Sequence, residues 1–181
     1  MKSEQPLKGK TVLMVLAPTG FQEDEFGKPS ELLDQLGAAI TIASKRKGTL
    51  YGISGSKVIA HGLITEYQAA DFDAVLFIGG PGAEVFFDDP AAHQLAREAL
   101  DAARVKVLGA ICIAPATLAN AGVLNGKHAT AFSSVQDQIA AQGAVVERKQ
   151  SLVQDGKIIT ASGPQAAPDF AQKIVTALLH N

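Results

Sequence analysis

The chain has 181 residues, 47% of them hydrophobic and 19% charged, and 16 Lys+Arg against 18 Asp+Glu leave a formal charge of −2. That balance excludes an intrinsically disordered chain, and the absence of a basic run interleaved with aromatics argues against a nucleic-acid surface. A single Cys excludes an intrachain disulfide framework and any multi-Cys zinc site, and it suits a reducing compartment.

In chain order, the polar stretch Met1–Lys10 leads into the apolar run Val12–Ala17, which is too short for the core of an export signal. Thr11–Leu16 is the first predicted strand, and Phe26–Leu36, closed by Gly37, is the first predicted helix. Ala39–Ala43 is the second strand. Thr49–Leu63 holds β-rich pieces around Gly52 and Gly55, which suit a small antiparallel excursion at a sheet edge. Ala74–Ile78 follows, then a helix over Pro90–Ala103 opened by Asp88 and Asp89. Val107–Ile111 is the next strand, and a third helix begins after Cys112. Ser151–Ala161 reads as a hairpin turning at Asp155-Gly156, and a last helix runs from about Ala166 to Leu179.

The strands are apolar on both faces, as in parallel sheets covered by helices. The expectation is a single domain over residues 1–181. Its fold class is α/β, a three-layer sandwich with a mostly parallel central sheet. The most hydrophobic stretch, Val107–Ala121, is broken by Pro115, Thr117 and Asn120 and is too short to span a bilayer. A cytoplasmic protein with no membrane and no nucleic-acid partner is expected.

The lone cysteine has the most informative surroundings. Ala110-Ile111-Cys112-Ile113-Ala114 sets Cys112 directly after an apolar strand, with a small residue two positions to either side, and Pro115 then admits a helix. A strand-to-helix elbow that exposes a nucleophile needs such small flanking residues, and a helix start favours a thiolate. The alternative is a buried core thiol. Gly79-Gly80-Pro81-Gly82 is neither a Walker loop nor GxGxxG. It is either a tight turn or a source of backbone N–H groups that, with the N–H of Ile113, form an oxyanion hole. Gln22-Glu23-Asp24-Glu25 opens the first helix; its acids complement the helix dipole, or one of them faces the thiol. His61, His93, His128 and His180 lack metal-site spacing, so no metal and no cofactor is expected.

These segments, in this order, resemble the ThiJ/PfpI superfamily, from Thr11 to about Leu179. Phe21-Gln22-Glu23-Asp24-Glu25-Phe26 is similar to its acidic motif, Phe72–Val75 with Gly79–Gly82 to its strand and oxyanion turn, and Ala110–Pro115 to its elbow. Ala121–Lys127 and Val153–Thr160 resemble its later landmarks. The resemblance implies a flavodoxin-like, class I glutamine amidotransferase-like fold. It implies Cys112 as nucleophile, Glu25 as a protonated partner of the sulfur, and the N–H groups of Gly80 and Ile113 as oxyanion donors.

The chain also departs from parts of that superfamily. Protease-type members carry His after the cysteine, where this chain has Ile113, so peptidase activity lacks its general base. Phe132 stands near the place of a downstream His in the deglycase-like and redox-sensing members. The resemblance then implies a homodimer acting on small reactive carbonyls, of glyoxalase or deglycase type, with Cys112 and Glu25 as the catalytic pair. Redox sensing through oxidation of Cys112 and isonitrile hydration are the alternatives it leaves.

Overall fold

The computed structural model describes residues 5–180; the first four residues of the polar N-terminal stretch and residue 181 lie outside the described residues. The chain opens with β1 (Thr11–Val15), β2 (Thr19–Phe21) and α1 (Glu23–Gln35). β3 (Ala39–Ser44), β4 (Gly48–Gly52), β5 (Lys57–Ala60) and β6 (Gly62–Leu63) come next. β7 (Ala74–Phe77), α2 (Pro90–Asp101), β8 (Val107–Ile111) and α3 (Pro115–Asn120) form the middle of the chain. β9 (His128–Ala129), α4 (Gln136–Ala141), β10 (Val145–Val146), β11 (Leu152–Asp155), β12 (Ile158–Ala161) and α5 (Ala167–His180) complete it.

The central sheet has seven strands in the order β11-β12-β8-β7-β1-β3-β6. All neighbours are parallel except the β11–β12 hairpin. Every residue of β7, β8 and β12 is buried, so both faces of the sheet are covered. α1 and α5 pack on each other and on the sheet, while α2 and α3 form a second packed group against β7 and β8. This is the α/β sandwich read from the apolar runs.

Local differences have local causes. α1 starts three residues before the predicted Phe26, because the Gln22 side chain caps it by accepting from the Glu25 N–H at 2.8 Å. The hairpin turns one residue later than predicted: Asp155 still pairs with Ile158, and Gly156 with Lys157 makes the turn. Of the β-rich pieces after Thr49, β4 and β5 pair antiparallel as expected but belong to a separate sheet, β2-β4-β5, while β6 lies at the edge of the main sheet beside β3. β9, α4 and β10 are too short to carry a readable periodicity. Among the described residues no helix is long and apolar enough to cross a membrane.

Gly109 lets the last helix close on the sheet. A Cβ there would sit 2.7 Å from a Leu76 methyl and 3.0 Å from the Phe170 ring. The bare backbone admits the fully buried Phe170 of α5 directly onto β8. Phe170→Ala should therefore lower stability by about 3–5 kcal/mol, the usual cost of emptying an aromatic core site. Urea unfolding followed by circular dichroism measures it, and a loss within the scatter of surface substitutions would show that this contact does not hold α5.

Candidate active site

Parallel strands bring their C-terminal ends to one edge, where the loops after β1, β7, β8 and β12 meet. At that edge β8 ends at Ile111, and Cys112 takes a left-handed backbone with φ 64°. It is the only non-glycine residue with positive φ among the described residues. Such a conformation costs about 1–3 kcal/mol and persists only where neighbours impose it. Here the Cys112 N–H donates to the Ala161 carbonyl of β12 at 2.9 Å, and the Phe132 N–H donates to the Cys112 carbonyl at 2.8 Å. The Ala114 N–H closes the turn onto the Ile111 carbonyl at 3.1 Å.

The glycine turn after β7 packs against the segment that follows β2. Gly80 has φ 99°, and a Cβ on it would overlap the backbone at Gly20 and Gln22. The Gln22 N–H donates to the Gly79 carbonyl at 3.1 Å and ties the two loops together. A Cβ on Gly79 would overlap Glu25 Oε2 and the Cys112 Cβ, so this bare position lets carboxyl and thiol approach each other. The backbone N–H groups of Gly80 and Ile113 face the sulfur.

The acidic cluster divides its work by position on the helix. Glu25 is fully buried and points inward, and no full hydrogen bond reaches either of its oxygens. The Cys112 side chain and the Gly79 N–H are the polar groups facing it. Glu23 instead accepts from the Ser54 N–H at 2.6 Å and the Ser56 hydroxyl at 3.1 Å, fixing the β4–β5 turn. Asp24 is exposed. Glu25, Gly80, Cys112, Ile113, Gln22 and Phe132 all border one cavity of about 360 Å³.

The DJ-1/PfpI family profile matches residues 10–177. The chain belongs to the DJ-1/PfpI family. It is 30% identical to Protein dj-1beta of Drosophila melanogaster over 171 residues, covering 93% of this chain and 89% of that protein. It is 24% identical to a Caenorhabditis elegans protein named glutathione-independent glyoxalase DJR-1.2, covering 93% and 89% of the two chains. The crystal structure of a ThiJ/PfpI domain protein from Brachyspira murdochii superposes with a TM-score of 0.89 at 29% identity, covering 94% of this chain and 97% of that one.

Within this DJ-1/PfpI fold, the four residues singled out in the sequence, Cys112, Glu25, Gly80 and Ile113, come together at one pocket. The electrostatics differ from the sequence expectation. Burial, and after it the Glu25 charge, push the Cys112 thiol up to about 12, while the N–H groups of Gly80 and Ile113 pull the other way. This runs against the thiolate expected at a helix start: α3 is only six residues long and begins at Pro115, and burial together with the Glu25 charge favours the thiol. Burial likewise pushes the Glu25 carboxyl up to about 7. Two adjacent anions are costly in a buried pocket, so ionisation of either group holds the proton on the other.

Sequence reasoning missed Gln22, Ile53, Glu84, Ser134 and Pro164 as pocket residues. The spacing of Gln22 to Glu25, that of a helix cap, was the one signal available for any of them. Among the described residues no group of three or more His, Cys, Asp or Glu is placed to hold a metal ion.

The raised carboxyl makes stability depend on pH. Below about 4.5 Glu25 is protonated whether the chain is folded or not. Between about 4.5 and about 7 the unfolded chain has lost this proton and the folded one keeps it, so stability falls as pH rises through that window. The full loss is on the order of 3 kcal/mol, and Glu25→Gln should remove that slope. Urea midpoints of both proteins at the two ends of the window measure it; parallel curves would show that Glu25 titrates normally.

Proposed function

We propose that this chain is a cysteine-dependent enzyme acting on small reactive carbonyls, of the glyoxalase or deglycase type. The observation that carries the reading is the convergence on one cavity of a left-handed Cys112, a buried Glu25 and the N–H groups of Gly80 and Ile113. The name of the Caenorhabditis elegans relative, a glutathione-independent glyoxalase, supports it.

With a 2-oxoaldehyde such as methylglyoxal, ionised Glu25 takes the thiol proton as the sulfur adds to the aldehyde carbon. The S–C bond forms and the carbonyl π pair moves to oxygen, where the Gly80 and Ile113 N–H groups stabilise it. Protonation of that oxygen gives a hemithioacetal and leaves Glu25 ionised. Glu25 then removes the proton from the former aldehyde carbon, giving an enediolate, and returns it to the neighbouring carbonyl carbon while the hydroxyl proton passes from the first oxygen to the second, giving a 2-hydroxyacyl thioester. Water cleaves the thioester, releasing the 2-hydroxy acid and restoring the thiol. The net reaction adds one water and uses no metal or cofactor. A carboxyl near 7 suits this traffic, since it is available at neutral pH in both forms.

Cys112→Ala should abolish turnover of methylglyoxal, and Glu25→Gln should lower kcat by roughly 10²–10⁴-fold, the usual worth of a general acid–base group. Lactate release measures both, with an isonitrile run beside it. Unchanged turnover in both variants overturns the proposal, and turnover of the isonitrile alone replaces it with a hydratase.

The reading includes a homodimer working in the cytoplasm. At micromolar concentration sedimentation should give about twice the chain mass of 18.8 kDa, and a species at the single-chain mass overturns the dimer.

A further inference from the structure

The cavity above Cys112 is larger than a three-carbon oxoaldehyde requires. Its volume is about 360 Å³. Its outer walls are apolar: Ile53, Pro81, Ile113, Phe132 and Pro164 border it, and Ile53 and Phe132 are 53% and 43% exposed. None of the described residues lining it is Lys, Arg or His, and the charged side chain there besides Glu25 is the exposed Glu84. An anionic substituent would find no cation in this pocket and would meet carboxylates.

The backbone at both apolar walls is tied to the rest of the site. The Phe132 N–H is bonded to the Cys112 carbonyl, and its ring lies beside Gly163, where a Cβ would stand 3.5 Å from it. Ile53 follows β4, and its N–H donates to the Phe21 carbonyl at 3.0 Å. Glu23 holds the next residues of that turn through Ser54 and Ser56. The helix start that carries Glu25 thereby also positions Ile53.

We propose that this pocket selects neutral carbonyl compounds carrying an aryl or branched alkyl substituent beside the reactive carbon, and rejects those carrying a carboxylate there. The proposal rests on the reading that Cys112 meets a carbonyl substrate in this cavity. An aryl group in place of methyl covers Phe132 and Ile53 and should gain roughly 10-fold or more, the scale of a filled apolar subsite. A carboxylate beside Glu84, with no cation in the pocket to meet it, should lose roughly 10-fold.

Three α-bromo ketones test this without requiring turnover: bromoacetone, 2-bromoacetophenone and bromopyruvate. In each the sulfur displaces bromide, an S–C bond forming as the C–Br bond breaks and the thiol proton passing to Glu25 or water. Cys112 is the single Cys of the chain, so intact mass reads its adduct, with Cys112→Ala as the blank. Dividing each rate by that of glutathione removes the intrinsic reactivity of the reagent.

The expected order is phenyl, then methyl, then carboxylate. Phe132→Ala and Ile53→Ser should each lower the phenyl-to-methyl ratio toward that of glutathione, and Glu84→Gln should raise the bromopyruvate rate. As a positioning residue, Glu23 should reproduce the Ile53→Ser ratio when changed to Ala, and restore the wild-type ratio as Gln, which keeps the acceptor oxygen. Bromopyruvate matching bromoacetone, or a phenyl-to-methyl ratio that neither wall substitution moves, overturns the proposal. Selective alkylation without glyoxal turnover overturns the activity and leaves the selectivity standing; turnover without selectivity does the reverse. A Cys112 that stays unreactive in the folded protein overturns both.

Discussion

The site depends on holding one non-glycine residue in a left-handed backbone. Cys112 has φ 64°, a conformation its Cβ resists, and its two peptide groups are taken up by separate parts of the fold. Its N–H extends the β8–β12 ladder to Ala161, and its carbonyl accepts from Phe132 in the loop after β9. The strain of about 1–3 kcal/mol is thus offset by hydrogen bonds and by the packing of strands buried on both faces. Relaxing the turn would swing the sulfur away from Gly80, Ile113 and Glu25 together. The core beneath, including the seat of Phe170 on Gly109, is therefore part of the site's rigidity.

Glycine at Gly79 and Gly80 serves two different ends. At Gly80 the backbone angle and the nearby Gly20–Gln22 backbone leave no room for a side chain, and its N–H is brought to face the sulfur. At Gly79 the missing side chain is the space in which carboxyl and thiol meet. Loops after two different strands are tied by the Gln22–Gly79 hydrogen bond, which holds the helix start bearing Glu25 against the turn bearing the Gly80 N–H.

Burial sets the chemistry of the pair more than any single hydrogen bond. Glu25 has no full hydrogen-bond partner and is fully buried, which keeps its proton to about pH 7. Burial and the Glu25 charge also raise the thiol. An isolated buried cysteine with so high a pKa would be inert. Beside a carboxyl that can take its proton, the transfer runs only from one member of the pair to the other.

The sequence by itself determined the α/β class and the main strands along the chain, and with the family resemblance it pointed to Cys112, Glu25, Gly80 and Ile113, which the fold brings to one pocket. Those are local properties: apolar runs on both faces, small residues around an elbow, glycines in a turn, a member of a known motif. The start of α1 was misplaced because its cap is a glutamine side chain rather than one of the commoner capping residues. Local pattern left open which of three adjacent acids turns inward, and only the family resemblance singled out Glu25; the fold buries it because Glu23, Asp24 and Glu25 differ in angle around the helix. Tertiary structure alone brought Ile53 and Phe132 from distant loops to the mouth of the cavity. It also reversed the expected shift of the thiol, because desolvation is a property of everything packed around a sulfur and not of the residues beside it in the chain.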